Sequence, residues 1–137
     1  MKNTKRWLAI IMLSLSIFGL ASCGAADGSK EEASFAYEQI SAEKAKSLME
    51  SEKDYIIIDA RTESEFAEGH IEGAILIPEY EIAERAQKEL PDKDALILVY
   101  CRSGRRSKIA SDELVKLGYT NVKEFGGIID WPYETVK

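Results

Sequence analysis

Cys101 opens the one segment of this 137-residue chain in which a nucleophile, several cations and a glycine stand together. The run Cys101-Arg102-Ser103-Gly104-Arg105-Arg106-Ser107-Lys108 holds four positive charges and no acid, while the whole chain carries a net charge of −6. A solvated surface rarely concentrates charge in that way, so the run reads as an anion site. A turn from strand into helix can aim successive backbone N–H groups at one point, and the helix adds the positive end of its dipole. Gly104 supplies the backbone freedom such a turn often requires. These groups favour a thiolate over a thiol, and the thiolate is the nucleophile. A buried, inert Cys ending a strand is the plainer alternative; the adjoining cationic loop weighs against it.

Three chemistries fit such a loop. The first is sulfur transfer, in which Cys101 attacks an anionic sulfur donor and holds the sulfur as a persulfide. Loop N–H groups and arginines would stabilise both anions. The second is phosphate-ester cleavage through a phosphocysteine. Cysteine phosphatases carry Cys, five residues and then Arg, but the sixth residue after Cys101 is Ser107, and Arg106 comes one place early. Tyr100 also stands where those enzymes usually carry His. The third is a non-catalytic module that binds an anion or a partner protein.

The rest of the chain narrows the choice. The two Cys and one His are too few for a four-ligand structural zinc site of Cys and His in one copy, and no metal or organic cofactor is implied. Two Cys permit at most one disulfide, which excludes a disulfide-stapled miniprotein. The acidic balance disfavours nucleic acid as a partner. At 45% hydrophobic and 31% charged, the chain has the composition of a globular domain.

Residues 1–22 read as an address. Lys2, Lys5 and Arg6 precede an apolar run from Trp7 to Leu20, too short to span a membrane and right for a secretory signal. Leu20-Ala21-Ser22-Cys23 resembles the lipobox of bacterial lipoproteins, which implies cleavage before Cys23 and its lipidation, with palmitate among the acyl chains. An ordinary signal peptide with Cys23 a spare thiol is the alternative. The lipobox reading gives a signal peptide over 1–22, a lipidated Cys and small, polar tether over 23–33, and a domain over 34–137. It implies an extracytoplasmic protein held on a membrane by its anchor. Removing the leader's three basic residues turns −6 into −9 and leaves Cys101 without a partner thiol, so any sulfur it carries must go to an external acceptor.

The elements that must position Cys101 alternate in type. Strand candidates are Phe35–Ile40, the apolar run Tyr55–Ile58, Ala74–Ile77 (expected to be buried), Ala95–Tyr100 and Val122–Phe125. Helices are expected after Ser41, after the capping-box spacing Thr62-Glu63-Ser64-Glu65, over Glu79–Leu90, and over Ser107–Leu117 with Ile109, Ala110, Leu114 and Leu117 inward. This is the α/β class: a mainly parallel central sheet with helices on both faces, whose ligands sit at the carboxyl ends of strands. The turn after Tyr100 is such a place.

The sequence resembles the single-domain rhodaneses from about Phe35 to Trp131. The resemblance is carried by Asp59-Ala60-Arg61 with Glu65-Phe66, by Gly69-His70-Ile71-Glu72-Gly73-Ala74 and Pro78, by the six-residue loop opened by Cys101, and by Gly126-Gly127 with Trp131. It implies the rhodanese α/β fold and a sulfurtransferase that forms a persulfide on Cys101. Sulfur would come from a small anionic donor such as thiosulfate and pass to cyanide or a thiol acceptor, such as a redox protein. On this reading the loop amides of Arg102, Ser103, Gly104, Arg105 and Arg106 cradle the sulfur, and the three arginines attract and select the donor. Asp59 and Arg61 are expected to pair with nearby loops and support the site. His70 is expected to be scaffold, and Trp131 and Tyr133 to pack the C-terminal segment.

Overall fold

In the computed structural model of the chain, the structure describes residues 36–137. The segments expected to be signal peptide and tether, with Cys23, and Phe35 lie outside the described residues.

Five strands form one sheet: β1 (Glu38–Gln39), β2 (Ile56–Asp59), β3 (Ala74–Leu76), β4 (Ile97–Cys101) and β5 (Val122–Gly127). Their order is β1-β5-β4-β2-β3, and every pairing between them is parallel. Helices α1 (Ala42–Ser51), α2 (Glu63–Glu68), α3 (Ile82–Glu89) and α4 (Arg105–Lys116) fall between successive strands. The central strand is β4, and all five of its residues are buried. A strand covered on both faces needs no polar alternation, which explains the unbroken apolar run that marks it in the sequence.

The two-residue period of the strands divides the core. Ile97, Val99 and Cys101 of β4 pack with Ile58 and Val122 on one face, beneath Ile82, Ala86, Ala110 and Leu114 of α3 and α4. Leu98 and Tyr100 pack with Ile57 and Phe125 on the other face, against Ala45 of α1. Each fully buried Ile or Leu contributes about 1.5–3 kcal/mol. Cys101 thus belongs to the α3/α4 face.

Three expectations are corrected. The segment Ala74–Ile77 is not a buried strand: β3 is a sheet edge, and Ile75 is 39% exposed because only β2 flanks it. Glu79–Leu90 is not one helix; a 3-10 turn over Glu79–Glu81 follows Pro78, and α3 begins at Ile82. The last helix starts at Arg105 rather than Ser107, and its inward face is Ser107, Ala110, Ser111 and Leu114. Ile109 therefore points outward, 44% exposed.

Candidate active site

Cys101 ends β4, and its side chain is buried. Between Val99 and Cys101 the pairing of β4 with β5 shifts register, so that Cys101 stands beside Gly127. The chain then turns through Arg102 and Ser103, both exposed, to Gly104. Gly104 has φ 101°, a left-handed conformation that favours glycine, and it precedes the first residue of α4. This geometry aims the Gly104 N–H at the Cys101 sulfur, 3.0 Å away. It also brings Arg105, Arg106 and Ser107 into the first turn of α4, where the helix dipole favours negative charge. Ser107 Oγ lies 3.3 Å from Cys101 Sγ.

Beneath the sulfur is a polar group absent from the sequence reading. Glu124 of β5 is buried, and its Oε1 accepts from Ser107 Oγ at 2.6 Å and from the Gly126 N–H at 2.8 Å. Ser107 Oγ is also 3.0 Å from the Gly104 carbonyl and 3.4 Å from that of Gly126. The signal for Glu124 was present: strand alternation puts it on the same inward face as Val122, with Lys123 opposite. Gly127 has a spatial role. Its backbone is ordinary, with φ −121°, but the loop crosses it so closely that a Cβ there would overlap the Arg102 carbonyl oxygen and fall 2.6 Å from Ser103 Cα.

The cations divide. Arg106, expected among the donor-selecting residues, is bound by two 2.7 Å hydrogen bonds to Glu65, which lies at the start of α2. The side chains of Arg102 and Arg105 are exposed and form no ion pair among the described residues. With Lys108, likewise exposed and in no ion pair among the described residues, they are the cations of the run free to meet an anion, while Arg106 ties the loop to α2. Glu65 also completes the capping box: its Oε2 accepts from the Thr62 N–H at 3.0 Å, and Thr62 Oγ1 accepts from the Glu65 N–H at 3.4 Å.

The Arg106 guanidinium, aided by Thr62 and opposed by desolvation, holds the Glu65 carboxyl at about 2 against a usual 4.5. Between those values the unfolded chain binds this proton and the folded chain does not, so stability rises with pH there. The contribution is complete above about pH 4.5 and is lost as pH falls towards 2. With the Glu65 side chain 23% exposed, solvent screening limits it to about 1–2 kcal/mol. Unfolding followed by circular dichroism should show that loss on acidification, and Glu65→Gln should flatten the pH dependence in the same window.

Asp59 and Arg61 form a second buried network on the opposite face of the sheet. Arg61 Nε and a terminal nitrogen donate to the Asp59 carboxylate at 2.6–3.0 Å, and the same terminal nitrogen reaches the Gly69 carbonyl at 2.7 Å. Tyr100 Oη donates to Asp59 at 2.7 Å and accepts from the Ile71 N–H at 3.1 Å. Burial, reinforced by the Asp59 carboxylate, holds the Tyr100 phenol protonated well above its usual range, which keeps it a donor. Asp59 and Arg61 thus neutralise one another. The pair fastens β2 to β4 and to the loop before β3, behind Cys101 rather than beside it. His70 belongs to the same scaffold: its ring stacks on Phe66 at 3.7 Å, and Nδ1 lies 3.0 Å from the Phe66 carbonyl. Trp131 packs between Phe125 and Tyr133.

Comparison with known proteins agrees with this geometry. Residues 41–132 match the model of the rhodanese-like domain. The chain is 40% identical over 80 residues to the thiosulfate sulfurtransferase PspE of Escherichia coli, covering 58% of this chain and 77% of that protein. It is 37% identical over 94 residues to a sulfurtransferase of Allochromatium vinosum, covering 68% and 86%. A solved rhodanese with anions from E. coli superposes with a TM-score of 0.57 at 38% identity, over 61% of this chain and 98% of that one. The chain belongs to the rhodanese-like domain family. Within it, this is a rhodanese-type sulfurtransferase.

Proposed function

We propose that Cys101 accepts a sulfane sulfur from a small anionic donor of the thiosulfate class and carries it as a persulfide. The observation that carries this reading is the placement of Sγ at the floor of the loop, with the Gly104 N–H at 3.0 Å and Ser107 Oγ at 3.3 Å. The Cys101 thiolate attacks the outer sulfur of thiosulfate; the new S–S bond forms as the bond to the sulfonate breaks, and sulfite leaves with the electron pair. The loop amides favour the Cys–S–S⁻ anion, which carries the same single negative charge as the thiolate, one sulfur further out. A thiolate or cyanide then attacks the terminal sulfur, and Cys101 departs as thiolate. Arg102 and Arg105 draw the donor to a protein that is otherwise acidic. The thiosulfate named in the E. coli relative supports the choice of donor.

The test is the intact mass of the protein after exposure to thiosulfate. A gain of one sulfur, located at Cys101 and removed by cyanide or a thiol, is expected. Failure to gain sulfur from any donor would favour a binding module. Cys101-dependent release of phosphate from an aryl phosphate would favour the phosphatase alternative.

We further infer that the protein is a lipoprotein anchored at Cys23 outside the cytoplasm, on the strength of Leu20-Ala21-Ser22-Cys23 after its apolar run. Labelled palmitate should enter the full chain in a bacterial host, and Cys23→Ser should lose both label and membrane retention. Retention of the Ser variant would overturn the anchor.

A further inference from the structure

Among the described residues, Glu124 is a buried carboxylate with no cationic partner. It is 3% exposed and makes no ion pair there; its carboxylate accepts from the Ser107 hydroxyl and the Gly126 N–H. A carboxylate buried without a cation is unfavourable, and an apolar residue would fill the same face of β5 at less cost. Its position identifies what it acts on. Cys101 Sγ, Ser107 Oγ and Glu124 Oε1 form a chain with successive separations of 3.3 Å and 2.6 Å.

The hydroxyl in the middle carries one proton. Its shortest contact is with Glu124, so in the resting site that proton is directed at the carboxylate, and the oxygen lone pairs are left to accept from the Cys101 S–H. A thiolate formed without further change would lie one hydroxyl from a second negative charge, in a region that water does not screen. The Gly104 N–H favours the sulfur anion from above while Glu124 opposes it from below. One proton displacement removes the conflict.

We propose that Cys101, Ser107 and Glu124 form a proton relay in which Glu124 holds the thiol's proton for as long as the sulfur is anionic. This rests on the persulfide reading above. As the donor's sulfur is attacked, the S–H proton passes to Ser107 Oγ and the Ser107 proton passes to Glu124 Oε1. Sulfur is left as thiolate, serine is again neutral and the carboxylate becomes a carboxylic acid. The Glu124 O–H then donates to Ser107, and the Ser107 O–H, which now carries the former thiol proton, donates to the thiolate and, after transfer, to the persulfide. When the acceptor removes the terminal sulfur and Cys101 is released as thiolate, the protons return by the same path. No proton enters or leaves the site over the cycle. Glu124 is a positioning residue, acting on the sulfur through Ser107.

The test is infrared difference spectroscopy of the intact protein, sulfurated minus resting, with mass analysis of the same sample. Sulfuration should bring a protonated-carboxyl C=O band as carboxylate absorption is lost. Glu124→Gln, which keeps the shape and an acceptor oxygen, should remove that band. It should also slow single-turnover sulfuration by about a hundredfold, the low end of what a positioned proton transfer supplies. The donor concentration at half-saturation should not move, because Glu124 touches no donor. Ser107→Ala should also remove the band, and the two substitutions together should cost little more than either alone; this variant keeps the test in place if Gln at 124 prevents folding. Full sulfuration by mass with no carboxyl band would overturn the relay. Absence of sulfuration would instead overturn the persulfide reading, and the relay's role with it.

Discussion

Cys101→Ala is expected to reduce sulfur transfer to the uncatalysed background, a loss of at least about 10⁴-fold on the scale of other nucleophile deletions. In the proposed mechanism the reaction passes through a bond to this sulfur, and among the described residues no other thiol exists to form it. A neighbouring group cannot substitute: Ser107 has the geometry, but its hydroxyl is a far weaker nucleophile than a thiolate and makes no persulfide. The fold should survive. Ala at 101 removes one buried sulfur atom, a cavity smaller than those left by truncating an aliphatic side chain, so a cost of about 1 kcal/mol is expected. The measurement is thiosulfate:cyanide transfer beside thermal unfolding. Activity near that of the native protein in a well-folded Ala variant would remove Cys101 from the mechanism.

Gly127→Ala should cripple the enzyme without touching any reacting atom. One methyl group at this position has nowhere to go: it would overlap the Arg102 carbonyl oxygen, and it would lie 2.5 Å from the Arg102 carbonyl carbon and 2.6 Å from Ser103 Cα. All three are backbone, so no side chain can rotate away. The loop must lift from β5, and with it the Gly104 N–H now 3.0 Å from sulfur. A misplacement of about 1 Å in an active site costs about a hundredfold in rate, and forcing a methyl into close-packed surroundings costs about 1–3 kcal/mol. Loss in kcat with a lesser stability loss is therefore expected, read by steady-state kinetics and denaturant unfolding. Gly126 offers a contrast, since an added Cβ there meets nothing within 4 Å and its constraint is φ 90°. A Gly127→Ala enzyme of normal rate would mean that the loop tolerates displacement.

The features legible in the sequence are those written in neighbouring residues. The Thr62–Glu65 capping box closes within one helical turn, so its spacing announces it. The apolar runs Ile56-Ile57-Ile58, buried from Ile57 on, and Ile97-Leu98-Val99 mark strands covered on both faces. Where pattern misled, a local reason is visible. The inward face of α4 includes Ser107 and Ser111 at two of its four buried positions, so apolar spacing alone assigned Ile109 to the core. The run Ala74–Ile77 reads as an interior strand because composition does not distinguish an edge from the middle of a sheet; strand order does.

The same distinction holds at the site. By itself the sequence singled out the proposed nucleophile and determined the cationic loop around it, the α/β alternation that puts this loop at a strand's carboxyl end, and the family resemblance that follows. Those are properties of contiguous residues. Only the tertiary structure decided what surrounds the sulfur. It spends Arg106 on Glu65, 41 residues away, and leaves Arg102 and Arg105 exposed and without ion pairs among the described residues. It places Glu124 under Ser107, 17 residues away, because β5 lies beside β4. It also lays the loop against Gly127 so tightly that only hydrogen fits. Contacts of this kind arise from strand adjacency and loop path, and no local spacing encodes them.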